Sequence, residues 1–280
     1  MIQCNKNNLV GILILCIPTL PAFAQEDLMN YDNSLKFARY LSHTHQYDFA
    51  AEEYERLHFQ WPDDTTISLE LVTTYRLNRD CSQFLNSYQV LSSNNRIFSQ
   101  RSFSREYLRF CLSCKIEHPL YFDITSTLDQ DEKAFYTLGY YWAHQQYDSA
   151  FSFNSRKADI LSENNPQLFS LTQSFQMQRF KSPVLAMALS TVLPGSGKAY
   201  SKRWGDATIS FILVSTSAFV SYRAFKRKGI KSVNGWIFGG VAFSFYSSNI
   251  YGSYKSAKRY NEDLRIQYQN NAESAIYNSF

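Results

Sequence analysis

The sequence predicts an all-α protein: a helical-repeat solenoid, followed by a transmembrane helical hairpin with an interfacial helix ahead of it. Three observations carry this expectation. Residue sizes recur on a 34-residue register through the middle of the chain, and three stretches of the last third carry no formal charge. The 22 Phe and 20 Tyr stand against only 10 Gly and 7 Pro in 280 residues, which disfavours a turn-rich β sandwich or a Gly-rich cofactor fold and leaves long helices. With 45% apolar and 19% charged residues, the chain is neither disordered nor a coiled coil. Its net charge of +4 hides two halves of opposite sign: residues 25–181 carry a net −5 and residues 182–280 a net +8. The basic charges flank apolar runs, so the expected partner of that half is a membrane surface and not nucleic acid.

The first element is a targeting segment. Lys6 precedes an apolar run from Leu9 to Ile17, then Pro18, Pro21 and the triplet Ala22-Phe23-Ala24. A basic start, a short apolar core and a small-x-small site predict a secretory signal peptide over residues 1–24, cleaved before Gln25. Nine apolar residues are too few to span about 30 Å of hydrocarbon, and bulky Leu15 before Cys16 disfavours a lipoprotein. Export to an oxidising compartment leaves Cys81, Cys111 and Cys114, an odd number that cannot all pair. Cys111 and Cys114 have redox spacing, but they sit in helical sequence without a βαβ pattern. Packing is therefore the expected role, and a thiol oxidoreductase would require a low-pKa thiol. Zinc lacks a second Cys or His pair at ligand spacing.

Residues 25–181 form the expected repeat domain. On a register starting at Tyr31, small Ala38 and Ala50 fall at positions 8 and 20, Leu41 at 11, Tyr54 and Leu57 at 24 and 27, and Pro62 at 32. This segment resembles the tetratricopeptide repeat, in which small residues let two antiparallel helices approach and Pro ends the second helix. Helical spacing of Leu69, Val72, Tyr75, Phe84, Tyr88 and Leu91 offers a second copy, and the helix pair around Pro119 a third. Gln146-Tyr-Asp-Ser-Ala150 then repeats Gln46-Tyr-Asp-Phe-Ala50, with Pro166 expected to close the last copy as Pro62 closes the first. The resemblance implies a concave surface that binds a peptide or partner helix.

Residues 182–260 form the expected membrane domain, and residues 261–280 a polar tail. Ala207–Tyr222 and Ser232–Tyr254 are charge-free and read as two spans, while Ser182–Gly197, interrupted by Pro194, reads as interfacial or re-entrant. Trp204, Trp236, Tyr251 and Tyr254 suit an aromatic belt. Four basic residues within Phe225–Lys231 predict a cytoplasmic loop, hence periplasmic repeats on the inner membrane; Lys198, Lys202 and Arg203 run against that count. Gly240, Ser244, Ser248 and Gly252 form a candidate small-residue stripe for packing on the first span at Ser217 and Ser221. Leu193-Pro194-Gly195-Ser196-Gly197-Lys198-Ala199-Tyr200, with Gly205 and Ala207 after it, resembles the L-P-G-x-G-x-x-Y segment of small two-helix bacterial membrane domains found behind signal peptides or tetratricopeptide repeats. Lys198 stands where that pattern more usually has Gln or His. The resemblance implies architecture and no activity.

No site for chemistry is expected. Gly195-Ser-Gly197-Lys198 lacks the first Gly and the final Ser or Thr of a phosphate loop. His43 and His45 are spaced wrongly for helical metal ligands and read as surface residues of a repeat turn. With no nucleophile elbow, zinc tetrad or nucleotide fingerprint, the chain is expected to have no catalytic, cofactor or metal residues. The expected function is a membrane-anchored scaffold or assembly factor of the bacterial envelope, binding a periplasmic protein or peptide and membrane lipid. The alternative is an accessory subunit of a transport or channel complex acting through the two-helix module.

Overall fold

The computed structural model describes residues 29–92, 101–117, 121–126 and 128–280. The expected leader at 1–24 and Pro119 lie outside them. Among the described residues all regular structure is helical, with fourteen α-helices and one short 3₁₀ turn. They fall into two compact units that meet at Asn78 and Arg79, inside the stretch expected to be one repeat domain.

The first unit contains α1 (Tyr31–His43), α2 (Tyr47–Gln60) and α3 (Thr65–Asn78). Asn30 caps α1 by accepting a hydrogen bond from Asn33 N–H at 2.8 Å, satisfying one of the donors a helix start leaves unpaired. Ala38 and Ala50 are completely buried, with Leu41, Tyr54 and Leu57 beside them. Tyr54 turns its hydroxyl outward to donate to Glu70 Oε2 at 2.7 Å, and Arg39 holds the same carboxylate. Pro62 is exposed in the short link after α2, where its missing N–H costs nothing.

The second unit begins with α4 (Cys81–Ser92), α5 (Arg101–Cys114), α6 (Tyr121–Ser126) and α7 (Gln130–Ala143). It continues through α8 (Tyr147–Arg156), α9 (Ala158–Asn164) and α10 (Pro166–Gln176). Pro166 opens α10, because the fixed φ of proline suits the first position of a helix. The helix after Ala150 breaks at Lys157, so the last copy is not closed by Pro166 alone. Among the described residues before α11, four non-glycine residues adopt positive φ where one helix turns into the next: His45, Arg79, Lys115 and Gln145, spaced 34, 36 and 30 residues apart. At His45 the N–H donates to Ser42 O and the next N–H to Leu41 O. Gln145 and Gln146 pair in the same way with Trp142 O and Tyr141 O, and Lys115 and Ile116 with Leu112 O and Cys111 O. These are left-handed helix-end turns that satisfy the orphan carbonyls. The turns at His45 and Gln145 each lead into a Tyr-Asp-x-Ala helix start.

The chain then enters α11 (Pro183–Val192), α12 (Ser196–Tyr200), α13 (Trp204–Lys228), a 3₁₀ turn (Gly229–Lys231) and α14 (Val233–Tyr277). The last helix runs unbroken for 45 residues, about 70 Å at 1.5 Å per residue. This corrects the expected polar tail: residues 261–277 continue α14 and pack on the aromatic helices of the same unit. Gln269 donates to Trp142 O at 3.1 Å, Lys115 pairs with Glu273 at 2.7 Å, and Tyr268 lies 4.8 Å from the Phe175 ring. Ile276 and Ala272 are buried. Trp142, itself fully buried, donates to Thr172 Oγ1 at 2.9 Å, so the core combines aromatic area with satisfied polar groups.

Candidate functional site

The Pro-Gly segment makes a tight reversal between α11 and α12. Leu193 is extended, as a residue before proline must be. Gly195 adopts φ 89°, and a Cβ there would stand 2.2 Å from Ala207 O; a Cβ on Gly197 would stand 1.9 Å from Ala186 O. Only glycine fits either place. Gly205 has open space around it, so its motif position has no steric requirement. Tyr200 takes the Ser182 N–H on its hydroxyl at 3.2 Å and presents its ring to the Lys181 ammonium.

A buried polar knot ties this reversal to α14. Gly195 N–H donates to Asn249 Oδ1 at 3.1 Å and Gly197 N–H to Ser190 Oγ at 3.0 Å. Ser190 and Ser253 hydroxyls meet at 2.6 Å, and Ser253 donates to Asn249 O. Each of these groups is buried and each has a partner inside the knot, which is the condition for a buried polar network to stabilise a fold. Sequence reasoning identified Gly195 and Gly197 but missed Asn249, Ser190 and Ser253; the pairing is set by tertiary contact between α11 and α14.

Helices α13 and α14 lie antiparallel. Ser221 donates to Gly235 O at 2.8 Å, and a Cβ on Gly235 would meet the Phe225 ring at 2.7 Å. A Cβ on Gly239 would stand 3.1 Å from Ser221 Oγ. The buried seam of α14 is therefore Gly235, Ala242, Asn249, Ser253 and Ala257, with half-buried Gly239 between them. This corrects the expected stripe: Gly240, Ser244 and Ser248 are exposed, and half-buried Gly252 faces Lys198, not α13. Ser217 and Ser221 on α13 are buried as expected.

The outer faces of this region are apolar. Ile212, Phe211 and Phe219 on α13, Phe243 and Ile237 on α14, and Val184 on α11 are all exposed, an arrangement that marks a surface covered by something apolar. Among the described residues one helical stretch, Trp204–Lys231, is long and apolar enough to cross a membrane. Ser232–Tyr254, expected as a second span, falls short of that standard because Gly, Ser, Asn and Tyr dilute its apolar residues. Trp204 and Trp236, 68% and 65% exposed, stand at opposite ends of the antiparallel pair.

On the aromatic side of the same unit, an open groove of 700 Å³ runs along α14, lined by Lys115, Tyr147, Arg265, Ile266, Gln269 and Glu273. It adjoins a second hollow floored by Phe151 and Phe175, with Tyr147 and Arg265 common to both. Arg265 stacks over Phe180 at 5.2 Å. Exposed Ile266, an aromatic floor and a poised Arg are the residue types that dominate protein interfaces.

The cysteines resolve differently from their spacing. Cys81 is joined to Cys114 across 33 residues, and Cys111 is free and buried. Burial pushes the Cys111 thiol up to about 12, the opposite of the shift an attacking thiol needs. His45 occupies a left-handed turn and meets Tyr47 Oη at 2.7 Å through Nδ1. Ala150 is fully buried at the start of α8. No family model, curated protein or solved structure matches the chain.

Proposed function

We propose that the chain is a membrane-anchored interaction protein of the bacterial envelope: a tetratricopeptide-like repeat region binds a protein or peptide while α11–α14 hold it to the membrane as a hairpin with a re-entrant turn. The observation that carries this reading is the segregation along α14. Its first half shares exposed apolar faces with α13, and its second half packs into the aromatic helices and edges the groove. Basic clusters stand at both ends of the apolar pair, Lys226, Arg227 and Lys228 at one and Lys202 and Arg203 at the other, which leaves the charge rule divided. The Cys81–Cys114 disulfide favours an oxidising compartment for the repeat side, in accord with a periplasmic location reached by a cleaved leader. The recurring left-handed turns favour the repeat reading. The buried knot satisfies its polar groups internally, which favours an anchor over a transport path. We read the chain as non-catalytic.

A photocrosslinking residue placed at Ile266 in the full chain, in cells, tests the reading. A discrete adduct from Ile266 and none from a probe at exposed Glu163 is the expected result. Equal or absent adducts at both positions, in cells where the chain is membrane-bound, would overturn the groove as the binding surface.

A further inference from the structure

The knot takes only backbone N–H groups from the Pro-Gly segment, and the Lys198 side chain leaves it to reach α13. Its stem passes over α14 where Gly252 leaves room, 3.3 Å from the place a Cβ would occupy. Its ammonium donates to Ser210 Oγ at 2.7 Å, while Ser210 itself donates to Asp206 O. An ammonium has three donors and needs more than one hydroxyl in apolar surroundings. Among the described residues no carboxylate forms an ion pair with it; the nearby Asp206 is held by Arg203 at 2.9 Å. Ser210 lies six residues into α13, about 9 Å along the helix from Trp204, so the charge sits below the aromatic level.

The ammonium heads a groove of 280 Å³ between α13 and α14. Ile209, Leu213 and Phe245 wall it and are exposed, Ser248 opens along its edge, and Asp206, its charge met by Arg203, also lines it. A cation at the head of an apolar lane fits a molecule with an anionic head and a hydrocarbon chain. Lys202 and Arg203, both exposed and outside its lining, form a basic rim just before α13, Arg203 paired with Asp206 and Lys202 set over the Tyr260 ring.

We infer that this groove binds one anionic phospholipid, its phosphate on the Lys198 ammonium and an acyl chain along Ile209, Leu213 and Phe245. The inference rests on the membrane reading above, and its occupant is chosen by charge complementarity and by continuity with the exposed apolar faces of both helices.

The test is native mass spectrometry of the full chain released from micelles holding equal phosphatidylglycerol and phosphatidylcholine. Retention of one phosphatidylglycerol in preference to phosphatidylcholine is expected, with at least a tenfold loss of that preference in Lys198→Met and its survival in Lys198→Arg. Ser248→Phe, which fills the lane from an exposed position, should block retention and stands in should Lys198→Met not fold. Unchanged preference in both Lys198→Met and Ser248→Phe overturns the site. So does loss in Lys202→Gln with Arg203→Gln while Lys198→Met retains it, since rim attraction alone would explain that. Full competition by glycerol 3-phosphate overturns the acyl lane, and a protein adduct trapped at Ser248 overturns the lipid as occupant. Alkaline extraction separates the two readings: a parent chain that leaves the membrane refutes the anchor, whereas a parent that stays but shows no lipid preference refutes only this site.

Discussion

Gly197→Ala isolates the close approach on which the Pro-Gly reversal depends. The added Cβ would lie 1.9 Å from Ala186 O, well inside van der Waals contact, and the nearest obstacle is backbone that cannot rotate away. Separating α11 from α12 costs about 1–3 kcal/mol by overpacking. It also stretches the 3.0 Å bond from Gly197 N–H to buried Ser190 Oγ, and a buried amide left unpaired costs a further ~1–3 kcal/mol. The sum is about 2–6 kcal/mol, and at roughly 2–4 °C per kcal/mol for a domain of this size the melting temperature should fall by about 5 °C or more. The assay is the circular-dichroism melt of the full chain in detergent, with Gly205→Ala as the matched control. Gly205 has open space and sits near the start of α13, where Ala should be neutral or stabilising by up to ~1 kcal/mol. Equal melting of the two variants would refute the assignment of different roles to glycines of one motif.

Three further outcomes follow from the packing. Ala50→Leu should destabilise by about 1–3 kcal/mol because its site has no free volume, read as a lowered urea midpoint; an unchanged midpoint counts against the α1–α2 crossing. Cys81→Ser and Cys114→Ser should each remove the same cross-link at a cost of about 2–4 kcal/mol, whereas of Cys81, Cys111 and Cys114 one thiol, Cys111, should label in the unfolded, unreduced chain; labelling of Cys81 and Cys114, read by peptide mapping, would refute the pairing. Gly239→Leu should abolish cross-linking between cysteines introduced at Ser217 and Ala242, and Gly240→Leu should not, because Gly239 faces Ser221 and Gly240 faces outward. The reverse pattern would restore the stripe read from sequence.

The helical character, the buried places of Ala38, Ala50, Tyr54 and Ala150, and the glycine requirement at 195 and 197 were legible in the sequence, because residue size and spacing state them directly. The stripe on α14 was not. Residues four apart advance 400° around a helix, drifting about 40° per step, so Gly240, Ser244, Ser248 and Gly252 spiral off any one face. The true seam advances by four, three, seven and four, as at Gly235, Gly239, Ala242, Asn249 and Ser253, steps that return to one face. The left-handed turns were hidden because His45, Arg79, Lys115 and Gln145 stand where glycine normally signals such a conformation. The far end of α14 read as a tail since its buried face is sparse: Gln269, Ala272 and Ile276 show their role only against Trp142 and Gly139. Cysteine spacing drew attention to Cys111 and Cys114, which share a helix face, but the partner of Cys114 came from the neighbouring helix, a contact that local spacing does not show.

A helix without a break transmits rotation as well as load. From Tyr254, where the charge-free half of α14 ends, to Tyr277 is a rise of 23 residues, a lever arm of about 35 Å. A 10° change of inclination about Tyr254 would carry the distal end through about 6 Å, more than one helical turn of pitch. Gln269, Glu273 and Ile276 lie on that arm and grip Trp142, Lys115 and Gly139, so the aromatic helices and the groove beside them must swing with it or let go. On the membrane reading proposed above, hydrophobic mismatch that tilts the embedded pair would thereby become an input to the geometry of a surface some 30 Å away.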